Sequence, residues 1–295
     1  MSFSDTTYNK GLALFARGVE ADVENAIASS PSISSPIDSL ILFKRVIREV
    51  EPLLGYHVSR WSQNSPYNQY CLNSLGQNVD AGCGPVAVGM IMSYYSHPRS
   101  YAGYTFDWQA MNNGQNYENI ARLLYLLADE NNLQLDYDIS SGTTEYRFKP
   151  TFTNMNYVNH QDFKIFDEEE ICEILDKWDD SIFSKVGPIL IIGQRLSGLT
   201  NKGHAWVIDG YVQYEVTSPI IGQVYVPDDI LFHCVWGWGG ACNGYFYWAR
   251  TNSLGGRPEE LDPDDSYTPS TGFIYDISLK YMGDFKAVYP FNPNL

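Results

Sequence analysis

The sequence predicts an α+β protein, and three observations carry that reading. Apolar residues at helix-like spacing dominate the first part of the chain, whereas short strand-like runs separated by Gly, Asn and Pro-Asp take over from Gly187. Between them, the stretch after Pro85 is almost wholly apolar and reads as a helix buried on all sides. Helices first and strands second is the order of an α+β protein, not of an alternating α/β one. The 295 residues are ample for a sizeable core, and no internal repeat is present.

Taken in order, residues 1–30 space Leu12, Leu14, Phe15, Val19, Val23 and Ala26 in a helix-like way. Ser29-Ser-Pro-Ser-Ile-Ser-Ser-Pro36 then reads as a low-complexity linker, so the first 36 residues look like an appendage. Ile41, Leu42, Val46, Ile47 and Val50 suggest a second helix ending before Pro52. The domain boundary is placed between an appendage of residues 1–42 and a domain of residues 43–295. The polar segment 61–68 leads to Ala81-Gly-Cys83-Gly-Pro85 and the buried helix, which His97-Pro98 stops. Residues 117–131 form a helix with Ile120, Leu123, Leu124 and Leu127 on one face. A further helix lies within acidic residues 167–180, with Ile171, Ile174, Leu175 and Trp178 as its stripe. Strands are expected at 189–192, 205–208, 223–226, 231–236 and 245–249, and in the tail at 272–277 and 286–289.

Composition narrows the function. With 19 basic against 35 acidic side chains the net charge is −16, which argues against a dedicated nucleic-acid binder and against docking on anionic membranes. The start, Met-Ser-Phe-Ser-Asp-Thr-Thr, has neither a basic region nor an apolar one. Apolar runs such as Pro188-Ile-Leu-Ile-Ile192 fall far short of the ~20 residues a bilayer span requires, so no membrane insertion is expected.

Five cysteines, at 71, 83, 172, 234 and 242, show no zinc-ligand spacing, and their odd count leaves at least one thiol unpaired. Cys83 stands apart because it opens a helix. The dipole and the unpaired N–H groups there stabilise a thiolate and can also bind an oxyanion on an attacked carbonyl. Gln77, six residues upstream, is within reach to add a side-chain amide, and Gly82 and Gly84 admit a substrate backbone. A buried inert thiol in a Gly-rich turn is the competing reading. Among five histidines, His57 and His160 read as surface residues, His97 as a helix-end cap and His233 as a satisfied core or edge residue. His204 opens the strand Ala205-Trp-Val-Ile-Asp209, so a rigid element holds it at a loop mouth, as a general base requires.

Six segments resemble the streptopain family of papain-like cysteine peptidases, in that family's order across roughly residues 61–250. They are Gln63-x-x-Pro-Tyr-Asn68, Gly76-Gln77 with Gly82-Cys83, Ile91-Met-x-Tyr-Tyr-x-His-Pro98, Asp136-Tyr137 with Ser140-Ser-Gly142, Gly203-His-Ala-x-Val-Ile-Asp-Gly210, and Phe232-His-x-x-Trp-Gly-Trp-Gly-Gly240 closing on Gly244-Tyr-Phe246. The resemblance implies a two-lobed papain-like fold. Its helical N-terminal lobe carries the Cys on a central helix, and its C-terminal antiparallel sheet or barrel lobe carries the His. It implies Cys83 as nucleophile, His204 as base and later proton donor, and Gln77 in the oxyanion hole. It further implies Trp236 and Trp238 beside the histidine, and Gly142 and Thr143 along the substrate cleft. The implied partners are a protein or peptide substrate and an inhibitory propeptide, of which residues 1–42 are read as a remnant or truncated form. No cofactor or metal is implied, and the location is secreted or periplasmic although no signal peptide is present.

The pattern departs from the family's in three places. Where the family reads Val-Asn-Trp, this chain has Cys234-Val235-Trp236, and it lacks the Asn that orients the histidine in papain-type enzymes. After the nucleophile it reads Gly84-Pro-Val-Ala. Residues 211–230 look like an insertion expected near the cleft. The absent Asn motivates an alternative reading, a catalytically impaired homologue that binds peptides or proteins. A cysteine acyltransferase or amidase on the same scaffold is a third.

Overall fold

The computed structural model describes residues 43–158, 162–176, 187–195, 203–217, 229–251, 255–258, 277–283 and 285–287. Strand β1 (Phe43–Val50) is followed by a single 3-10 turn at Val58–Arg60 and then by helix α1 (Cys83–Tyr95). A small hairpin, β2 (Ser100–Tyr101) with β3 (Tyr104–Thr105), leads to α2 (Trp108–Asn112) and α3 (Tyr117–Ala128). Next come α4 (Phe148–Asn154), β4 (Tyr157–Val158), β5 (Lys164–Ile165) and α5 (Glu168–Asp176). Strands complete the chain: β6 (Ile189–Arg195), β7 (Gly203–Thr217), β8 (Asp229–Val235), β9 (Gly244–Thr251), β10 (Gly255–Pro258), β11 (Ile277–Met282) and β12 (Lys286–Ala287). Helices thus cluster before strands, as the sequence predicts.

Helix α1 is apolar all round because it is surrounded: every residue from Gly84 to Ser93 is buried. It ends where Ser96 turns left-handed (φ 51°), and the His97 backbone N–H caps the Met92 carbonyl at 3.2 Å. His97 therefore does cap the helix, but through its backbone. Its ring is buried against Tyr157, with Nε2 3.2 Å from the Asn156 carbonyl. Ile120, Leu123, Leu124 and Leu127 are buried as the stripe of α3 predicts, and the Asn116 side chain caps the helix by accepting from the Asn119 N–H.

The sheet is antiparallel in the order β10-β9-β8-β7-β6-β11-β5, with β1 added on β7. Strand β7 is its spine. One edge of β7 pairs β6 along residues 203–208 and β1 along 211–217, while its other edge pairs β8. Side chains alternate strictly between two cores. Leu190, Ala205, Val207 and Val235 face α1, whereas Ile189, Ile191, Trp206, Ile208 and Trp236 share a cluster with Ile171, Ile174 and Leu175 of α5. The sheet is the wall between a helical lobe and a smaller core.

Two expectations are overturned. The pattern around Val46 is a strand, not a helix: Val46 and Ile47 remain 44% and 45% exposed, so no apolar helical stripe exists there to bury. The far edge of β7 supplies ladder hydrogen bonds instead, and Arg48 ties the strand to Glu169 and Asp176 of α5. The supposed insertion at 211–230 is in part regular sheet, since residues 211–217 continue β7 and Tyr214 pairs Asp229. Residues 211–217 run away from His204, reaching roughly 40 Å along the strand at Thr217, and residues 218–228 lie outside the described residues. The helix and linker expected in 1–36, the strand at 223–226, Trp178 and His160 lie outside the described residues. So does the 272–277 run apart from Ile277, which opens β11, and the end of the 286–289 run beyond Ala287.

A bulge at Asp209 couples the lobes. The β7–β8 register shifts between Ile208 and Gly210, and the Asp209 carboxylate is fully buried. That carboxylate accepts from the Leu54 N–H at 2.9 Å and meets His233 Nδ1 at 2.6 Å, and the Asp209 carbonyl takes the Leu53 N–H at 2.9 Å. His233 is thus the satisfied histidine the sequence suggests.

Candidate active site

Cys83 is the first residue of α1, preceded by Gly82 at φ +95°, a left-handed conformation that favours glycine. Both flanking glycines have a second reason. A Cβ at position 82 would stand 2.5 Å from the Ser141 carbonyl oxygen, and one at 84 would stand 3.2 Å from Thr143 Cγ2. Residues 141–143 therefore cross directly over the helix start. Gly142 and Thr143, expected along the cleft, lie in this crossing segment. The Gly142 N–H donates to Ser140 Oγ at 3.0 Å, and the Thr143 hydroxyl donates to the Leu133 carbonyl.

His204 comes from the second residue of β7, the strand on which α1 packs, and its ring hydrogen-bonds the Cys83 thiol. Its Nε2 lies 3.0 Å from the Trp236 carbonyl. A carbonyl only accepts, so Nε2 carries the proton and Nδ1 is left to take one from the thiol. This contact fills the place of the absent Asn. A backbone oxygen orients the ring, and no residue type in the sequence announces it.

Burial by itself pushes the Cys83 thiol up. The hydrogen bond and charge of His204, joined by backbone hydrogen bonds from Ala205 and Gly84, outweigh burial and bring the thiol below its ordinary value. Cys172, buried beside acidic groups of α5, goes the other way, to about 12. Cys71 is also raised by burial and accepts a hydrogen bond from Tyr137 at 3.1 Å.

Three indoles surround the imidazole. Trp238 stacks on it at 4.8 Å between centroids and 29° between planes, and Trp236, the other tryptophan named by the resemblance, at 6.2 Å and 24°. Trp206, at 6.0 Å and 13°, is a neighbour that the motif pattern passes over. Period two along β7 is the signal that finds it, because residues 204 and 206 share a face. The loop bearing Trp236 and Trp238 is pinned. Trp236 Nε1 donates to the Cys242 carbonyl at 3.0 Å, and Asn243 bridges the Trp236 N–H to the Ser59 carbonyl. Asn243 is a second residue that the motif pattern passes over.

Gln77 sits in an exposed turn. Its Oε1 accepts from Asn73 at 3.1 Å and its N–H donates to Asn73 Oδ1 at 2.9 Å, so the side-chain NH2 is its remaining donor. Among the described residues its hydrogen bonds run to Asn73, not to Cys83. This turn is fastened to the 136–143 segment by Ser74 N–H on Asp138 and by Tyr137 on the Ala81 carbonyl. His57 is exposed, as expected. Among the described residues no cluster of three or more metal-ligating side chains occurs, and no helix is long and apolar enough to cross a membrane.

Residues 61–246 match the Peptidase C10 family model. The thiol protease/hemagglutinin PrtT of Porphyromonas gingivalis is 26% identical over 238 residues, which are 67% of this chain but 24% of that protein. The chain thus spans about a quarter of the length of this curated relative. The active wild-type interpain A cysteine protease of Prevotella intermedia is 18% identical, with a TM-score of 0.47, and the match covers 68% of this chain and 86% of that one. A mutant prointerpain A fragment from the same organism is 18% identical with a TM-score of 0.46, covering 97% and 86%.

Proposed function

The chain belongs to the peptidase C10 family, and from that premise we propose that it is a cysteine endopeptidase working through a Cys83–His204 dyad. The Cys83 thiolate attacks the carbonyl carbon of a peptide bond, forming a C–S bond and a tetrahedral oxyanion. The Cys83 backbone N–H and the Gln77 amide hold that oxyanion. His204, protonated by the thiol, gives its proton to the leaving amine as the C–N bond breaks. Water, deprotonated by His204, then hydrolyses the thioester and returns the thiol. Trp236 and Trp238 hold the imidazole, and Gly142 and Thr143 line the path of the substrate backbone.

The observation that carries this reading is that the His204 ring hydrogen-bonds the Cys83 thiol while its Nε2 lies 3.0 Å from the Trp236 carbonyl. A histidine anchored by that carbonyl meets the objection that motivates an impaired homologue. The catalytic domain in this proposal runs from residue 43 to 295. Residues 1–42 are propeptide sequence, the substrate is a protein or peptide, and the enzyme works outside the cytoplasm. An epoxysuccinyl thiol inhibitor tests the proposal: peptide mass mapping should find the adduct on Cys83, with casein hydrolysis lost in parallel. Casein cleavage that survives Cys83→Ala, or the absence of a Cys83 adduct at neutral pH under reducing conditions, contradicts it. Transfer to an added amine outpacing hydrolysis would indicate an acyltransferase.

A further inference from the structure

Two features beside His204 run against local preference. Gly193 stands inside β6, where a glycine packs no side chain and weakens the strand. Trp206 is 2% exposed, yet its indole Nε1 has no hydrogen-bond partner among the described residues, whereas a buried tryptophan usually finds one. These two departures meet at one place. A Cβ on residue 193 would lie 3.0 Å from both Cζ3 and Cη2 of the Trp206 indole. Gly193 is also the cross-strand partner of His204. The space of the missing side chain is therefore filled by the indole together with Leu279 Cδ2, also 3.0 Å away, and the indole lies closer to parallel with the imidazole than either other tryptophan.

We propose that Trp206, seated in the space left by Gly193, is a positioning residue that fixes the plane of the His204 imidazole. The inference rests on the Cys83–His204 reading above. The Nε2 hydrogen bond to Trp236 pins one point of the ring and leaves it free to tilt about that point. Tilting would carry Nδ1 off the thiol. Trp238 at 4.8 Å and Trp206 at 6.0 Å present flat faces to the ring, and Trp236 packs against Trp206 at 5.0 Å, tilted by 34°, to back it. The ring face of Trp206 does this work and its N–H does not. A phenyl group at 206 therefore keeps the function and loses no hydrogen bond, whereas leucine keeps bulk without a face.

The test compares Trp206→Phe, Trp206→Leu and Gly193→Ala with the parent. The measurements are kcat and KM on labelled casein, the rate of Cys83 alkylation by iodoacetamide at pH 7, and thermal unfolding as a check of the fold. Trp206→Leu should lower kcat about ten- to a hundred-fold with KM within about twofold, and should slow alkylation several-fold. Trp206→Phe should recover to within about threefold of the parent. Gly193→Ala, which keeps the indole but crowds it, should lower kcat several-fold in a folded protein. Unchanged kcat in folded Trp206→Leu overturns the proposal. If that variant does not fold, unchanged kcat in Gly193→Ala overturns it instead. A parent whose Cys83 alkylates no faster than free cysteine defeats the dyad itself. A fast parent matched by an equally fast, folded Trp206→Leu defeats only the role of Trp206.

Discussion

His204 and His233 lie on neighbouring strands of one sheet, and each sets a ring nitrogen against an oxygen. For His204 the oxygen is the Trp236 carbonyl at 3.0 Å; for His233 it is the buried Asp209 carboxylate at 2.6 Å. A carbonyl accepts a hydrogen bond without bringing a charge, so it fixes the tautomer and leaves the second nitrogen as the acceptor toward a thiol. A carboxylate without solvent needs all its partners, and Asp209 has them in His233 and the Leu54 N–H. The same residue type is thus poised for chemistry at one end of β7 and locked into the frame at its bulge. The partner atom decides which.

The largest effect should separate the two rings. His204→Ala is expected to lower casein hydrolysis by about 10³-fold or more while moving the melting temperature little. His233→Ala should do the reverse, and comparable activity losses in both variants would erase the distinction. Next in size, Asp209→Ala leaves His233 and the Leu54 N–H without their acceptor. Urea unfolding should show a loss of about 3 kcal/mol. A loss under about 1 kcal/mol would mean that the clamp does not join the lobes. Smaller still is Val235→Asn, which installs the asparagine of the Val-Asn-Trp pattern that the resemblance implies. Val235 is buried facing α1, on the opposite side of the sheet from Trp236. The new amide cannot reach His204 there and should cost about 2 kcal/mol with no gain in kcat. A rise in kcat would show that the Trp236 carbonyl is an inadequate substitute.

Much of this arrangement is legible in the sequence where it rests on side-chain type and period. Cys83 at a helix start, the all-apolar α1 and the α3 stripe follow from local pattern, and the Trp236–Trp238 pair from the family resemblance. What escapes has no residue type of its own. The orienting group for His204 is a backbone carbonyl, and the Asp209 clamp depends on a bulge that shifts register by one residue. The strand at 43–50 escapes for a different reason: its apolar spacing fits a helix, and only the open edge of β7 decides against one. Trp206 was within reach of the period-two argument once His204 was placed on a strand. Its use depends on Gly193, more than ten positions away in sequence and the cross-strand partner of His204.

The central claim is that His204 charges the Cys83 thiol, and the pH dependence of Cys83 alkylation, followed by peptide mapping, tests it most directly. Folding lowers this pKa, so the thiolate's contribution to stability is complete above the ordinary thiol value and is lost as pH falls through the lowered one. The alkylation rate should accordingly persist below the ordinary thiol range and fall only at that lower pH. His204→Ala removes the hydrogen bond and the charge but keeps the burial, so the inflection should move to or above the ordinary thiol value. An inflection at the ordinary value in the parent, unmoved by His204→Ala, would contradict the account.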